Sequence, residues 1–105
     1  MSKRHASIKP VHPGEIVQDV FETLKAEKGL TKPAFAKALG ISRQTLHDVM
    51  TCKRSVTPEM ALRLEAAIGS DAETWLALQI DHDLHYGRAA FDVSKVKRIA
   101  AQATR

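Results

Sequence analysis

The chain has 105 residues, with 16 Lys and Arg against 12 Asp and Glu and a formal net charge of +4. That length makes one small domain with a short appendage; a single core consumes most apolar residues, leaving little room for a deep pocket or a second catalytic lobe. One cysteine, Cys52, has no internal disulfide partner, no apolar run is long enough to span a bilayer, and residues 1–10 lack the apolar stretch of a secretory signal, so a cytoplasmic protein is expected. The few aromatic residues, Phe21, Phe35, Trp75, Tyr86 and Phe91, argue against a stacking platform for single-stranded nucleic acid.

Residues 1–11 read as a flexible arm. The first helix is predicted over about 13–28, opened by Pro13 and closed by Gly29, with Ile16, Val20 and Leu24 in one stripe and Val17 and Phe21 beside it. Thr31 caps a second helix over 32–39 and Ser42 a third over about 43–51. Thr57 caps a fourth over 58–68, which Pro58 opens. A fifth is predicted over 71–86, with Ser70 and Glu73 at capping-box spacing and Gly87 as its terminator. In the tail, 88–105, Ser94 opens a short helix with Val96, Ile99, Ala100 and Ala103 on one side, marginal unless packed. Strand and hairpin signals are missing, so the fold class is all-α, with a body over 12–87.

The most informative stretch is 32–50, KPAFAKALGISRQTLHDVM. Gly40-Ile41-Ser42 is too short a turn for an antiparallel hairpin, so the two helices cross steeply. Ala36 is small enough for the contact, and Phe35, Leu39, Ile41, Leu46 and Val49 face inward. This is a helix-turn-helix pattern, whose second helix enters the major groove of DNA. Leu46, Val49 and Met50 take its inner side. Arg43, Gln44, His47, Asp48 and Thr51 take the outer side, with Ser42 and Thr45 at the N-terminal end. Arg pairs bidentately with guanine and Gln with adenine, while Asp48 accepts from cytosine or else pairs with Arg43 or another cation. Between Leu30 and Thr57 the cations are Lys32, Lys37, Arg43, Lys53 and Arg54, against Asp48 alone. Lys32 starts a helix whose N–H groups also favour phosphate, and Lys53 and Arg54 follow the recognition helix as backbone clamps.

This stretch resembles the helix-turn-helix domains of phage repressors, the XRE or Cro/CI-like class, over about 13–69. With HPGEI at 12–16, VTPEMALRLEAAIG at 56–69 and TWLALQIDHDL at 74–84, the chain resembles the HigA antitoxin family. The resemblance implies a five-helix fold and a dimer that represses its own operon by binding operator DNA. It also implies a protein partner, a HigB-like toxin that is a small basic mRNA-cleaving ribonuclease of the RelE type. It places DNA contacts on Lys32, Ser42, Arg43, Gln44, Thr45 and Asp48, with Lys53 and Arg54 in the following loop. The family loop is usually Asn-Gly-Lys; here it is Thr51-Cys52-Lys53, which sets cysteine at a left-handed position at a cost of about 1 kcal/mol.

A single recognition helix reads few base pairs, and a two-fold dimer reads half-sites about 34 Å apart. The candidate dimer face is Trp75, Leu78, His82 and Tyr86 on the fifth helix, extended by the tail stripe; a Trp at such a position is more often core, in which case Leu78, His82 and Tyr86 form the second face. Glu15, Asp19 and Glu22 share a face of the first helix and are candidates for meeting a basic toxin, or are simply a solvated surface. His82 and His85, at i and i+3, lack a third spaced ligand, so no metal site is expected, and no cofactor or small-molecule ligand either. No nucleophile–base pair is evident, so no enzyme is expected. Lys53 beside Cys52 is a cue for a lowered thiol pKa. Two rivals stay open: a stand-alone repressor of the same class without a toxin, and a protein-binding adaptor with a degenerate helix-turn-helix.

Overall fold

A computed structural model describes residues 9–100, and among these the regular structure is helical. Five α-helices follow in order: α1 Pro13–Lys28, α2 Lys32–Leu39, α3 Arg43–Met50, α4 Pro58–Ile68 and α5 Ala72–Ala90. A 3-10 turn, Val93–Lys95, closes the described chain. The capping side chains set the boundaries. Thr31 Oγ1 accepts from the Ala34 N–H (3.2 Å), Ser42 Oγ from Thr45 (3.0 Å) and Thr57 Oγ1 from Met60 (3.2 Å). Each such cap contributes about 1 kcal/mol. Gly29, Gly40 and Gly69 end their helices in the left-handed conformation.

The core lies where α1, α2, α3 and α4 meet and α5 closes over α4. Val17 and Phe21 of α1, Phe35, Ala36 and Leu39 of α2, Leu46, Val49 and Met50 of α3, and Met60, Ala61 and Leu64 of α4 are all buried. Phe21 and Phe35 stack with ring centroids 5.9 Å apart. Full burial of one such side chain contributes roughly 1.5–3 kcal/mol, so the core outweighs any single cap. On α1 the deepest stripe is Val17 and Phe21; Ile16, Val20 and Leu24 are half-buried beside it.

Gly14 explains how closely α1 meets α3. A methyl group built there would overlap the Val49 carbonyl oxygen, so at this point the backbones touch without an intervening side chain. Just before it, His12 caps α1 through an imidazole: Nδ1 accepts from the Gly14 N–H at 2.9 Å.

Four expectations need correction. Helix α5 passes through Gly87, which is not left-handed, and ends at Ala90, four residues beyond the expected Tyr86. A glycine terminates a helix only where the next carbonyls need a left-handed cap, and here the helix continues to Ala90. The Ser70–Glu73 capping box does not form. The N-cap is Asp71, which makes no side-chain cap, and Glu65 Oε2 of α4 accepts the Ala72 N–H instead (3.0 Å). In the tail, Asp92 rather than Ser94 acts as the cap: its Oδ1 accepts from the Ser94 N–H and hydroxyl, and the chain makes one 3-10 turn in place of a helix. Val96 and Ile99 of the expected apolar side are exposed, so that side gives a helix of this length no tertiary support. Ala103 lies outside the described residues.

The fourth correction is Trp75. It is 3% exposed and belongs to the core, so it is not a dimer contact of this fold. Large aromatic area favours burial even though its indole Nε1–H meets no acceptor among the described residues. The expected arm is described from residue 9 onward; Pro10 is buried, and with Asp81, Leu84, His85 and Arg88 it lines a groove beside α5. No helix among the described residues is long and apolar enough to cross a membrane.

Candidate nucleic-acid interface

Helix α3 divides cleanly. Leu46, Val49 and Met50 are buried, and Arg43, Gln44 and His47 are exposed on the other side. Those three line an open groove of about 690 Å³ together with Lys32 and Pro33 at the start of α2. The N-terminal N–H groups of α2 and the Lys32 ammonium therefore stand next to the outward face of α3. Helix N-termini and cations attract phosphate, while Arg and Gln can address base edges.

Not every expected contact residue is equally available. Ser42 Oγ donates to Thr45 Oγ1 at 2.9 Å while it accepts from the Thr45 N–H as the α3 cap, so both hydroxyls are already engaged. Gln44 Nε2 donates to Asp48 Oδ1 at 2.9 Å, one turn further along α3. Asp48, half-buried, also faces Arg54 at 3.8 Å, so the cation expected near it comes from the following loop rather than from Arg43. That pair is weak at the surface, and Arg54 is readily drawn from it by a phosphate.

The loop after α3 closes tightly. The N–H groups of Lys53 and Arg54 both donate to the Asp48 carbonyl, at 2.8 and 3.2 Å, and the Cys52 N–H donates to Val49. Cys52 takes φ 65°, the left-handed strain expected from the sequence. Lys53 and Arg54 are thereby presented, both exposed, at the C-terminal end of α3. Burial and the nearby Glu15 charge push the Cys52 thiol up, opposite to the lowering expected from Lys53. A protonated, partly buried thiol is a poor nucleophile.

Three residues that hold this surface were not singled out from the sequence. Arg63 of α4 donates through Nη1 to the carbonyls of Leu39 (2.9 Å) and Gly40 (3.2 Å), and its other nitrogens grip Glu59. It thus caps the end of α2 and fixes the turn into α3. Gln79 of α5, 4% exposed, accepts the Val56 N–H at 2.7 Å and donates to Asp83 at 3.0 Å. Gly14 allows α3 to sit against α1. The i, i+4 spacings Glu59–Arg63 and Gln79–Asp83 were the available signals; the long-range carbonyl and N–H partners had none.

On α5, His82 is half-buried, its ring 4.8 Å from that of His12, with Nδ1 3.1 Å from Asp83 Oδ1. Leu78 is half-buried, and Tyr86 is exposed, its ring 4.9 Å from His82 and 4.7 Å from His85. Burial and the His82 charge hold the His12 imidazole below its ordinary range, against the pull of Asp83 and Glu15. Burial works against the Asp83 carboxylate, but hydrogen bonds from His82 and Gln79 outweigh it and hold its pKa down. Outward on the same helix, Ile80, Leu84 and Phe91 are exposed at i, i+4 and i+11, with Gly87 between them at i+7. On α1, Glu15, Asp19 and Glu22 are all exposed, and Glu22 accepts from Gln18 at 2.7 Å.

This geometry agrees with the relatives. The helix-turn-helix domain family matches residues 19–77. An Escherichia coli protein named as an uncharacterized HTH-type transcriptional regulator, YddM, is 34% identical over 90 residues, covering 86% of this chain and 92% of that one. Antitoxin HigA-1 of Vibrio cholerae is 32% identical over 81 residues, 77% of this chain and 73% of its own. Among solved structures, the Pseudomonas aeruginosa antitoxin HigA with the higBA promoter superposes with a TM-score of 0.69 at 30% identity, covering 88% of this chain and all (100%) of that one. Fold and interface together define a helix-turn-helix protein of the phage-repressor class. Within that class, the chain belongs to the HigA antitoxin family.

Proposed function

We propose that this protein is an antitoxin that binds operator DNA as a dimer, represses its own operon and neutralises a HigB-like toxin. The observation that carries the DNA half is the outward face of α3: Arg43, Gln44 and His47 are exposed beside Lys32, above a fully buried apolar side. In this reading Arg43 and Gln44 read base edges. His47 and Asp48 flank them, Ser42 and Thr45 hold the helix start against the backbone, and Lys32, Lys53 and Arg54 contact phosphates. If each dimer neutralises about six phosphates, affinity falls with salt at a log–log slope of roughly −5.

The second copy docks on α5. Ile80, Leu84 and Phe91 leave an apolar stripe on the surface, and Gly87 within it lets another backbone approach. Tyr86, Leu78 and His82 lie round α5 from that stripe, with His82 against His12 and Tyr86 against His82, so the apolar stripe is the stronger candidate for the subunit contact. The toxin half rests on the HigA relatives. The acidic row Glu15, Asp19 and Glu22 on α1 suits a basic toxin through long-range attraction. The body runs from 12 to the end of α5 at Ala90, past the boundary at 87 read from the sequence, and the basic tail follows it. The HigA relatives favour this reading over a repressor without a toxin.

The test is Arg43→Ala with Gln44→Ala. Each lost bidentate contact costs about 1–3 kcal/mol, so footprinting of the upstream DNA should show specific protection lost. Co-purification with the toxin encoded beside it should persist. Unchanged operator affinity would favour the adaptor reading.

A further inference from the structure

Lys53 and Arg54 lie in a loop whose two ends are held by different parts of the fold. Its near end is tied to α3 through the Cys52, Lys53 and Arg54 N–H groups. Its far end is Val56, whose side chain is buried and whose N–H is taken by Gln79 Oε1 at 2.7 Å. Gln79 is 23 residues further along the chain, on α5. Val56 therefore has its backbone donor satisfied by the helix that carries the apolar stripe. Thr57 then caps α4. Lys53 and Arg54 thus sit at the near end, and one residue, Ser55, separates them from the Gln79-bound Val56.

Asp83 decides which way the Gln79 amide points. A carboxylate only accepts, so the Asp83 Oδ1 contact at 3.0 Å must come from the amide NH2. The amide oxygen is then left facing the Val56 N–H. A flipped amide would set donor against donor at Val56 and acceptor against acceptor at Asp83. Gln79 is nearly inaccessible to water, so solvent cannot substitute for either partner.

We infer that Gln79, oriented by Asp83, is a positioning residue that sets the height of the Lys53–Arg54 clamp relative to α5. This rests on the operator-binding dimer proposed above. In a two-fold dimer joined through α5, the separation of the two clamps depends on how rigidly each loop is tied to that helix. Half-sites about 34 Å apart require that tie to be stiff. The Gln79 side chain supplies a direct polar link between the two.

The experiment uses the full chain and the upstream operator duplex, with affinity measured across a salt series. Gln79→Met should lower affinity about tenfold and weaken the salt slope by roughly two per dimer, one phosphate contact per loop. Lys53→Ala should then cost less in the Gln79→Met background than in the wild type. The double variant Gln79→Glu with Asp83→Asn exchanges acceptor and donor while keeping Val56 satisfied, and should restore the slope. A folded Gln79→Met protein with an unchanged slope, and an additive Lys53→Ala effect, overturns the inference. If Gln79→Met does not fold, Asp83→Ala at the exposed carboxylate takes its place: a weakened slope supports the assignment and an unchanged one overturns it. A wild-type protein that fails to bind the operator at all would defeat the operator reading itself, before Gln79 is in question.

Discussion

Helices α3 and α5 divide their surfaces in opposite ways. Every apolar side chain of α3, Leu46, Val49 and Met50, is buried, and what remains outside is polar. Helix α5 starts like a core element, with Ala72, Trp75 and Gln79 buried, but its last turns expose Ile80, Leu84, Tyr86 and Phe91. An exposed polar face costs nothing in water and is available to a polyanion. An exposed apolar stripe is unfavourable in water and gains from a protein surface. The same chain thus presents one face suited to nucleic acid and another suited to a second subunit.

The sharpest way to break the contrast is to unseat α3. Gly14→Ala places a methyl against the Val49 carbonyl oxygen, where backbone cannot yield as a flexible side chain can. A loss of about 3 kcal/mol in urea denaturation is expected, at the upper end of overpacking penalties, with operator binding lost alongside. A Gly14→Ala protein as stable as the wild type would mean that α1 and α3 can separate cheaply.

Next, Leu84→Lys with Phe91→Lys removes the outward stripe of α5 without touching the core. Monomer stability should stay within about 0.5 kcal/mol, because both side chains are surface groups. Sedimentation should show dimer giving way to monomer, and operator affinity should fall with it. A dimer that survives both changes would place the subunit contact elsewhere.

The smallest effect concerns pH. His12 binds its proton less readily folded than unfolded, because burial and His82 disfavour the cation. Its contribution is complete above the ordinary value of 6.5 and declines as pH falls below it, since the unfolded chain takes up the proton first. The neutral ring is also needed for the cap, because Nδ1 accepts from Gly14. Urea midpoints should drop on acidification below that value, and His12→Asn, which keeps a cap acceptor, should flatten the drop. Asp83, whose pKa is lowered, acts in a separate window: its contribution is present above 3.8 and fades further into acid. An equally steep drop in His12→Asn would assign the acid sensitivity to another group.

Legibility followed range in the sequence. Thr31, Ser42 and Thr57 announced α2, α3 and α4 because each cap acts on an N–H three residues away. The faces of α3 followed from their spacing, and the strain at Cys52 from the missing glycine. The cap of α5 is not legible locally because it comes from Glu65, on another helix. Trp75 could serve core or interface by its chemistry, and only its surroundings decide. Arg63 and Gln79 act on backbone groups 23 or 24 residues away, a distance at which local patterns carry no information.

The grip of Arg63 on the Leu39 and Gly40 carbonyls has a practical meaning for engineering. The two helices of the reading head do not form a portable cassette, since the end of the first is electrically completed by a guanidinium from α4. A graft that stopped short of α4 would leave those oxygens without their cation and let the hinge between the helices drift. The smallest transplantable reader of this type therefore includes α4, and a designer who redirects its specificity should vary α3 while leaving Arg63 and its carboxylate companion Glu59 in place.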